Sequence, residues 1–320
     1  ESYHQGTGPE DLRISWSVAK SYLSALGRTQ VVLWITVAAV PLNVLLNWAL
    51  IFGNLGAPEL GVAGSAIATV TVQIVSLGLI VLYAALLPAL AKYSLVQRFW
   101  RPDWPGFRAV FRLGWPMGLT GLAESGLFQA SALMMGWIGT TELAAHGIAL
   151  EITALAFMVH VGLSNAVTVR GGQAYGAADW TSLRQGALTG IALSFGMAML
   201  TVCLFLLAPE ALIWPFLNPD DPASATIIVT GTALLACAAL FQLADGMQVM
   251  ALGLLAGVQD TKVPMVLASV SYWLIGIPAS YALAFPLGFG PVGLWLGLVV
   301  GLAMAAISLM ARFWLRLPKA

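Results

Sequence analysis

Apolar residues in this chain do not alternate with polar ones; they run. Stretches at about 31–52, 61–90, 107–138, 142–168, 185–208, 223–255, 263–286 and 290–315 are predominantly apolar, with polar punctuation between them. A helix needs about 20 such residues to cross roughly 30 Å of hydrocarbon. Helices are expected rather than strands, because in lipid each backbone N–H and C=O must find its partner within the segment or a closed barrel. A ninth stretch, 13–27, is short and carries Arg13 and Lys20, so it counts as part of a span. The expected fold class is all-α and polytopic.

Composition agrees. Hydrophobic residues make up 59% of the 320 and charged residues 9%, against about 25% charged in a soluble domain. The chain cannot cover itself with a water-facing surface, so its solvent is lipid. A net charge of zero gives no reason to expect a nucleic-acid partner. Cys203 and Cys237 lie in apolar runs without disulfide or metal-ligand spacing, and both are expected to pack.

The few charges are sorted. Arg28, then Lys92, Arg98, Arg101, Arg108 and Arg112, then Arg170 and Arg184, then Lys262, then Arg312, Arg316 and Lys319 fall at alternate junctions. The junctions between carry acids: Glu59, Glu142, Glu210, Asp220 and Asp221. The positive-inside rule makes the basic side cytoplasmic, the C-terminus included. The basic stretch containing Arg101-Pro-Asp-Trp-Pro-Gly106 reads as a linker at 91–106 between a first part, 1–90, and a six-span second part, 107–320. The parts echo each other. Ala25-Leu-Gly-Arg-Thr-Gln-Val31 matches Gly257-Val-Gln-Asp-Thr-Lys-Val263, and Gly61-Val-Ala-Gly64 matches Gly290-Pro-Val-Gly293, in the same order. An internal repeat of the transporter kind is expected.

Three carboxylates interrupt the spans: Glu124, Glu151 and Asp245. A charge at mid-membrane costs about 3 kcal/mol on insertion scales, and no Lys or Arg stands mid-span to offset it. Such a group can hold a proton or a cation. The bland alternative is a carboxyl tolerated among serines and amides. Gln242, Asp245 and Gln248, spaced i, i+3, i+6, fall near one helical face, and Ser125 and Gln129 accompany Glu124. An interhelical hydrogen-bond seam would use the same residues. His146 and His160 are expected as hydrogen-bonded packing residues, with a proton-relay role open. Trp137, Phe128, Trp273 and Tyr272 are candidates for cation–π contact with a substrate or for interfacial anchoring. Pro41, Pro116 and Pro278 should kink their helices.

Several segments resemble the MATE (multidrug and toxic compound extrusion) family, in its NorM-like branch. Asn43-Val-Leu-Leu-Asn47 with Gly53-Asn-Leu-Gly-Ala-Pro-Glu-Leu-Gly61-Val-Ala-Gly-Ser-Ala-Ile-Ala-Thr69 is similar to the family's helices five and six. Val169-Arg-Gly-Gly-Gln-Ala-Tyr-Gly-Ala-Ala-Asp179 resembles the loop after helix eight. Phe241-Gln-Leu-Ala-Asp-Gly-Met-Gln248 and Gly257-Val-Gln-Asp-Thr-Lys-Val-Pro264 resemble helix ten and the loop behind it. Ala256 departs from the usual Arg, Gly171 from Val and His160 from proline. The resemblance implies two facing bundles, the first incomplete here: part of helix four and helices five and six, without helices one to three. It places Glu124 and Asp245 at helix-seven and helix-ten carboxylates, and Glu151 at a helix-eight glutamate of eukaryotic-type members. Asn43, Asn47 and Thr69 resemble a second cation site, although two Asn without a carboxylate bind Na⁺ weakly and packing is the favoured reading of them.

No G-K-[ST], H-E-x-x-H, G-x-S-x-G or C-x-x-C occurs, so ATP hydrolysis by a phosphate loop and enzymatic catalysis are not expected. The function expected is antiport at the plasma membrane by a monomer: an organic, often cationic compound leaves as Na⁺ or H⁺ enters, with no cofactor. The alternatives are a lipid-linked precursor flippase of the same superfamily, which would want mid-span cations, and a truncated, non-transporting paralogue.

Overall fold

Residue 23 and residues 29–86, 104–217 and 222–318 are described by the structure, a computed structural model. Expectations about 13–27, most of the linker, Asp220, Asp221 and Lys319 fall outside them.

The described residues are helical almost throughout: α1 (Thr29–Phe52), α2 (Val62–Leu86), α3 (Trp104–Ile138), α4 (Thr140–Gly176), α5 (Trp180–Leu207), the short α6 (Pro209–Ile213), α7 (Ser224–Gly257), α8 (Lys262–Val270), α9 (Ile277–Ala284) and α10 (Gly290–Arg316). All eight expected spans are present as helix. Seven are long and apolar enough to cross a membrane, with α8 and α9 counted as one span. The eighth, α3, has 35 residues but is less apolar, because Arg108, Arg112, Glu124 and Gln129 fall on it. The chain divides into two units, 1–103 and 104–320, so Trp104 to Gly106 open α3 rather than closing the linker.

In the first unit α2 turns back onto α1, and the Leu60 amide donates to the Leu50 carbonyl at 2.9 Å. Gly61 has φ +53 and opens α2; a Cβ on Gly64 would collide with the Leu50 carbonyl. The second unit repeats this arrangement at its last helix. Gly290 has φ +54, and a Cβ on Gly293 would strike the Leu283 backbone. The echo of Gly61–Gly64 in Gly290–Gly293 is therefore a structural one, with a left-handed glycine starting each helix and a bare backbone three residues on; most of the Ala25–Val31 segment lies outside the described residues.

In the second unit α7 is the axis, packed against α4, α10 and α5. Lipid supplies no hydrophobic force between helices, so close approach and interhelical hydrogen bonds hold them together. Ser164 Oγ donates to the Val249 carbonyl at 2.8 Å, and Thr168 Oγ1 to that of Gly253 at 2.9 Å. Gly253 is obligatory there, since a Cβ would overlap Ser164. The outward faces are apolar: Leu122, Leu207, Val229, Leu274 and Ile307 are all exposed, as a lipid-facing surface requires. Cys203 is among the exposed residues, contrary to the packing expected of it, while Cys237 is buried. An apolar run says only that a residue meets hydrocarbon, and either lipid or protein satisfies that.

Between α8 and α9 the chain forms a π-turn, Ser271–Gly276, directly before Pro278. Proline has no N–H for the usual i−4 bond and its ring crowds that carbonyl. One wider turn absorbs the misfit. The turn carries Tyr272 into the bundle, where it is fully buried.

Candidate functional site

The mid-span residues of α7 gather on its protein-facing side. Gln242, Asp245 and Gln248 are at most 3% exposed, and the spacing that brought them to one face does so here. Glu124 approaches from α3, half-buried. The Gln248 side-chain amide donates to Glu124 Oε1 at 3.5 Å, and Glu124 lies within electrostatic reach of both Asp245 and Tyr272. Trp273, the residue after Tyr272, donates from Nε1 to the Ala123 carbonyl at 3.1 Å, with its ring over Gly126. That clamp holds the π-turn against α3 one residue from Glu124.

Both polar side-chain atoms of Gln242, Asp245 Oδ1, Gln248 Oε1 and the Tyr272 hydroxyl are buried without a hydrogen-bond partner. Each such group costs about 1–3 kcal/mol when left alone, so a cluster of them is a poor structural device. Carboxylate, amide and hydroxyl oxygens are the ligand types that a hard cation or a transferable proton uses. Among the described residues the ion pairs are those of Asp260 with Arg312 at 2.7 Å and with Arg316 at 2.9 Å. Neither mid-span carboxylate has a cationic partner.

Around this cluster the bundle is tied. His146 accepts from Trp295 Nε1 at 3.0 Å through Nδ1, and its Nε2 lies 3.4 Å from Ser131 Oγ. His160 Nδ1 sits 2.8 Å from Ser194 Oγ, and the His160 ring lies against Gly246, next to Asp245. Both histidines are buried, as their packing role requires. Phe128 and Trp295 each meet Phe241 edge-on, with centroids 5.9 and 5.6 Å apart. Trp137 is exposed and lies beside Phe285.

Other candidates are not gathered in. Gln129 is exposed on α3, since five residues on from Glu124 is about 140° around a helix; Ser125 is exposed as well. Glu151 is exposed on α4, whereas its neighbours Ala149, Ile152 and Thr153 carry the packed face. In the first unit Asn47 Nδ2 donates to Asn43 Oδ1 at 2.9 Å, and Thr69 donates to the Ser65 carbonyl of its own helix. These bonds are internal to each helix, while Asn47 Oδ1 is buried without a partner. The sequence reading missed the Asp260 triad, although Asp260 lies in the motif that opens at Gly257, and Arg312 and Arg316 stand one turn apart. It also missed Thr120, Asn165 and Thr168, which line a crevice leading to Glu124.

Comparison with known proteins agrees with this architecture. The MatE family model matches residues 116–282. "Probable multidrug resistance protein NorM" of Rhizobium meliloti (strain 1021) is 44% identical over 297 residues, covering 93% of this chain and 64% of that protein. The protein of the same name from Agrobacterium fabrum (strain C58 / ATCC 33970) is 42% identical, covering 92% and 64%. This chain thus spans just under two thirds of the length of the curated relatives it matches. A crystal structure of a MATE protein in the bent conformation superposes with a TM-score of 0.82 at 20% identity, over 97% of this chain and 66% of that one, and so shows the same two-bundle fold. The family is one of membrane transporters, not of enzymes. The chain belongs to the MatE family, in its NorM-like branch.

Proposed function

We propose that this chain is the greater part of a secondary antiporter that exports organic, often cationic compounds in exchange for Na⁺ or H⁺. The exchange site is Glu124 and Asp245, with Gln248 donating to Glu124 and Gln242 and Tyr272 in the same bundle. One observation carries the reading: a buried mid-span Asp245, with unpartnered polar atoms on Gln242, Gln248 and Tyr272, lies within electrostatic reach of the half-buried Glu124, and among the described residues no Lys or Arg pairs with either carboxylate. Coupling then needs only that cation and substrate favour different states of the same groups. The multidrug-resistance names of the relatives point to the same substrate class.

In this reading residues 1–90 belong to the first bundle, 104–320 form the six-helix second bundle, and the basic junctions, with the α10 end, face the cytoplasm of a plasma membrane. The flippase alternative is disfavoured, because a lipid-linked pyrophosphate needs mid-span cations and the exchange site has none. Glu151, Gln129 and the Asn43, Asn47 and Thr69 group stand outside the proposed site. Export of a fluorescent organic cation by Glu124→Gln and Asp245→Asn variants tests the proposal.

A further inference from the structure

A crevice of about 240 Å³ opens in the second unit, walled by α3, α4, α7 and the start of α8. Its polar lining comprises Glu124 and, one helical turn away, Thr120 on α3, with Asn165 and Thr168 on α4 and Asp260 just beyond the end of α7. That volume holds several waters, and the lining supplies the polar partners they need. Asp245 does not line it. At 3% exposure Asp245 lies behind Glu124, so Glu124 is the member of the pair that the crevice reaches.

The Asp260 end is chemically distinct. Asp260 is held by two guanidiniums, Arg312 at 2.7 Å and Arg316 at 2.9 Å. Its guanidinium partners neutralise the carboxylate, so Asp260 is not itself a cation-binding site. A conducting path needs that property: binding weak enough to leave.

We propose that this crevice is the aqueous path between Glu124 and the side of the membrane that bears Arg312 and Arg316, and that the coupling cation or proton leaves Glu124 through it. This rests on the antiport reading above, which makes that side cytoplasmic. The order of ion traffic follows from burial: the buried Asp245 exchanges by way of Glu124, and Glu124 exchanges with water.

Gly121 provides the test. It lines the crevice one turn from Glu124, and a Cβ built there meets no heavy atom within 4 Å. A larger side chain therefore enters open space rather than the packed core. In the full-length protein, with Cys203 and Cys237 replaced by Ala, Glu124→Cys is exposed to a cationic, membrane-impermeant methanethiosulfonate from each side of the membrane. Modification from the Arg312 side is expected, slowed roughly tenfold or more by adding Gly121→Leu, an effect equal to about 1.4 kcal/mol on a barrier. Ala256→Leu, on the α7 wall, serves as a second plug. Modification only from the opposite side, or rates that neither plug changes, would overturn the path. Labelling needs no transport, so failure of the antiport reading appears separately, as normal export by Glu124→Gln.

Discussion

Gln248 on α7 reaches Glu124 on α3 with its side-chain amide, 3.5 Å from the carboxylate oxygen, across 124 residues of sequence. Its other terminal atom, Oε1, is buried without a partner. Gln248 can therefore serve one carboxylate with a donor while offering an acceptor to whatever that carboxylate holds. Replacing it with Ala should leave the fold intact and lower apparent cation affinity by roughly tenfold, about 1.4 kcal/mol, in line with loss of a hydrogen bond to a charged group. Titration of Na⁺ and of protons against the purified protein, by calorimetry or intrinsic fluorescence, reads this directly. Unchanged affinity for both would remove Gln248 from the site.

The His146–Trp295 bond should matter to stability and not to coupling. It joins α4 to α10 at 3.0 Å between buried groups. His146→Ala strands the indole N–H in the core, at a cost of about 1–3 kcal/mol. The expected result is a lower melting temperature with cation affinity unchanged. If cation binding fell while melting did not, His146 would be part of the relay instead.

Asp179 illustrates a pH effect outside the membrane. It caps α5 by accepting from the Ser182 amide at 2.9 Å, and hydrogen bonds from Ser182, side chain first and backbone next, hold its pKa below the ordinary carboxylate range. Its contribution is thus present above the ordinary aspartate pKa and is lost as pH falls through the lowered value. Asp179→Ala should fray the first turn of α5, seen as faster amide exchange there at neutral pH. Asp179→Ser should retain protection at neutral pH, because serine also caps, and should lose the acid dependence.

Much of this was legible in the sequence because lipid imposes simple rules. Unbroken apolar runs marked the spans to within a few residues over most of the chain, and acids without bases marked Glu124 and Asp245. Helical spacing put Gln242, Asp245 and Gln248 together, since a face is a local property. Contacts between helices were not legible. Glu124 meets Gln248 only because of how α3 and α7 cross, and Asp260 meets Arg312 only when α10 returns to the end of α7. Glu151 and Gln129 stand beside Glu124 as weaker candidates in the sequence, yet both face outward, because a mid-span position fixes depth and not direction. The sequence marks Tyr272 for its ring, while its burial in the bundle depends on the π-turn ahead of Pro278.

The most direct test of the exchange site is gradient-driven export in the full-length protein. Glu124→Gln and Asp245→Asn preserve size and hydrogen bonding and remove the ionisable group. Burial of a neutral amide is cheaper than burial of a carboxylate, so a purely structural role predicts variants that transport normally and melt at or above the parent temperature. The antiport reading predicts that each variant melts normally yet loses export of a fluorescent organic cation under an imposed Na⁺ or H⁺ gradient. The measurement is therefore export rate beside thermal melting, on the same preparations. Lost export with intact melting is the result predicted, and undiminished export by both variants would contradict the central claim.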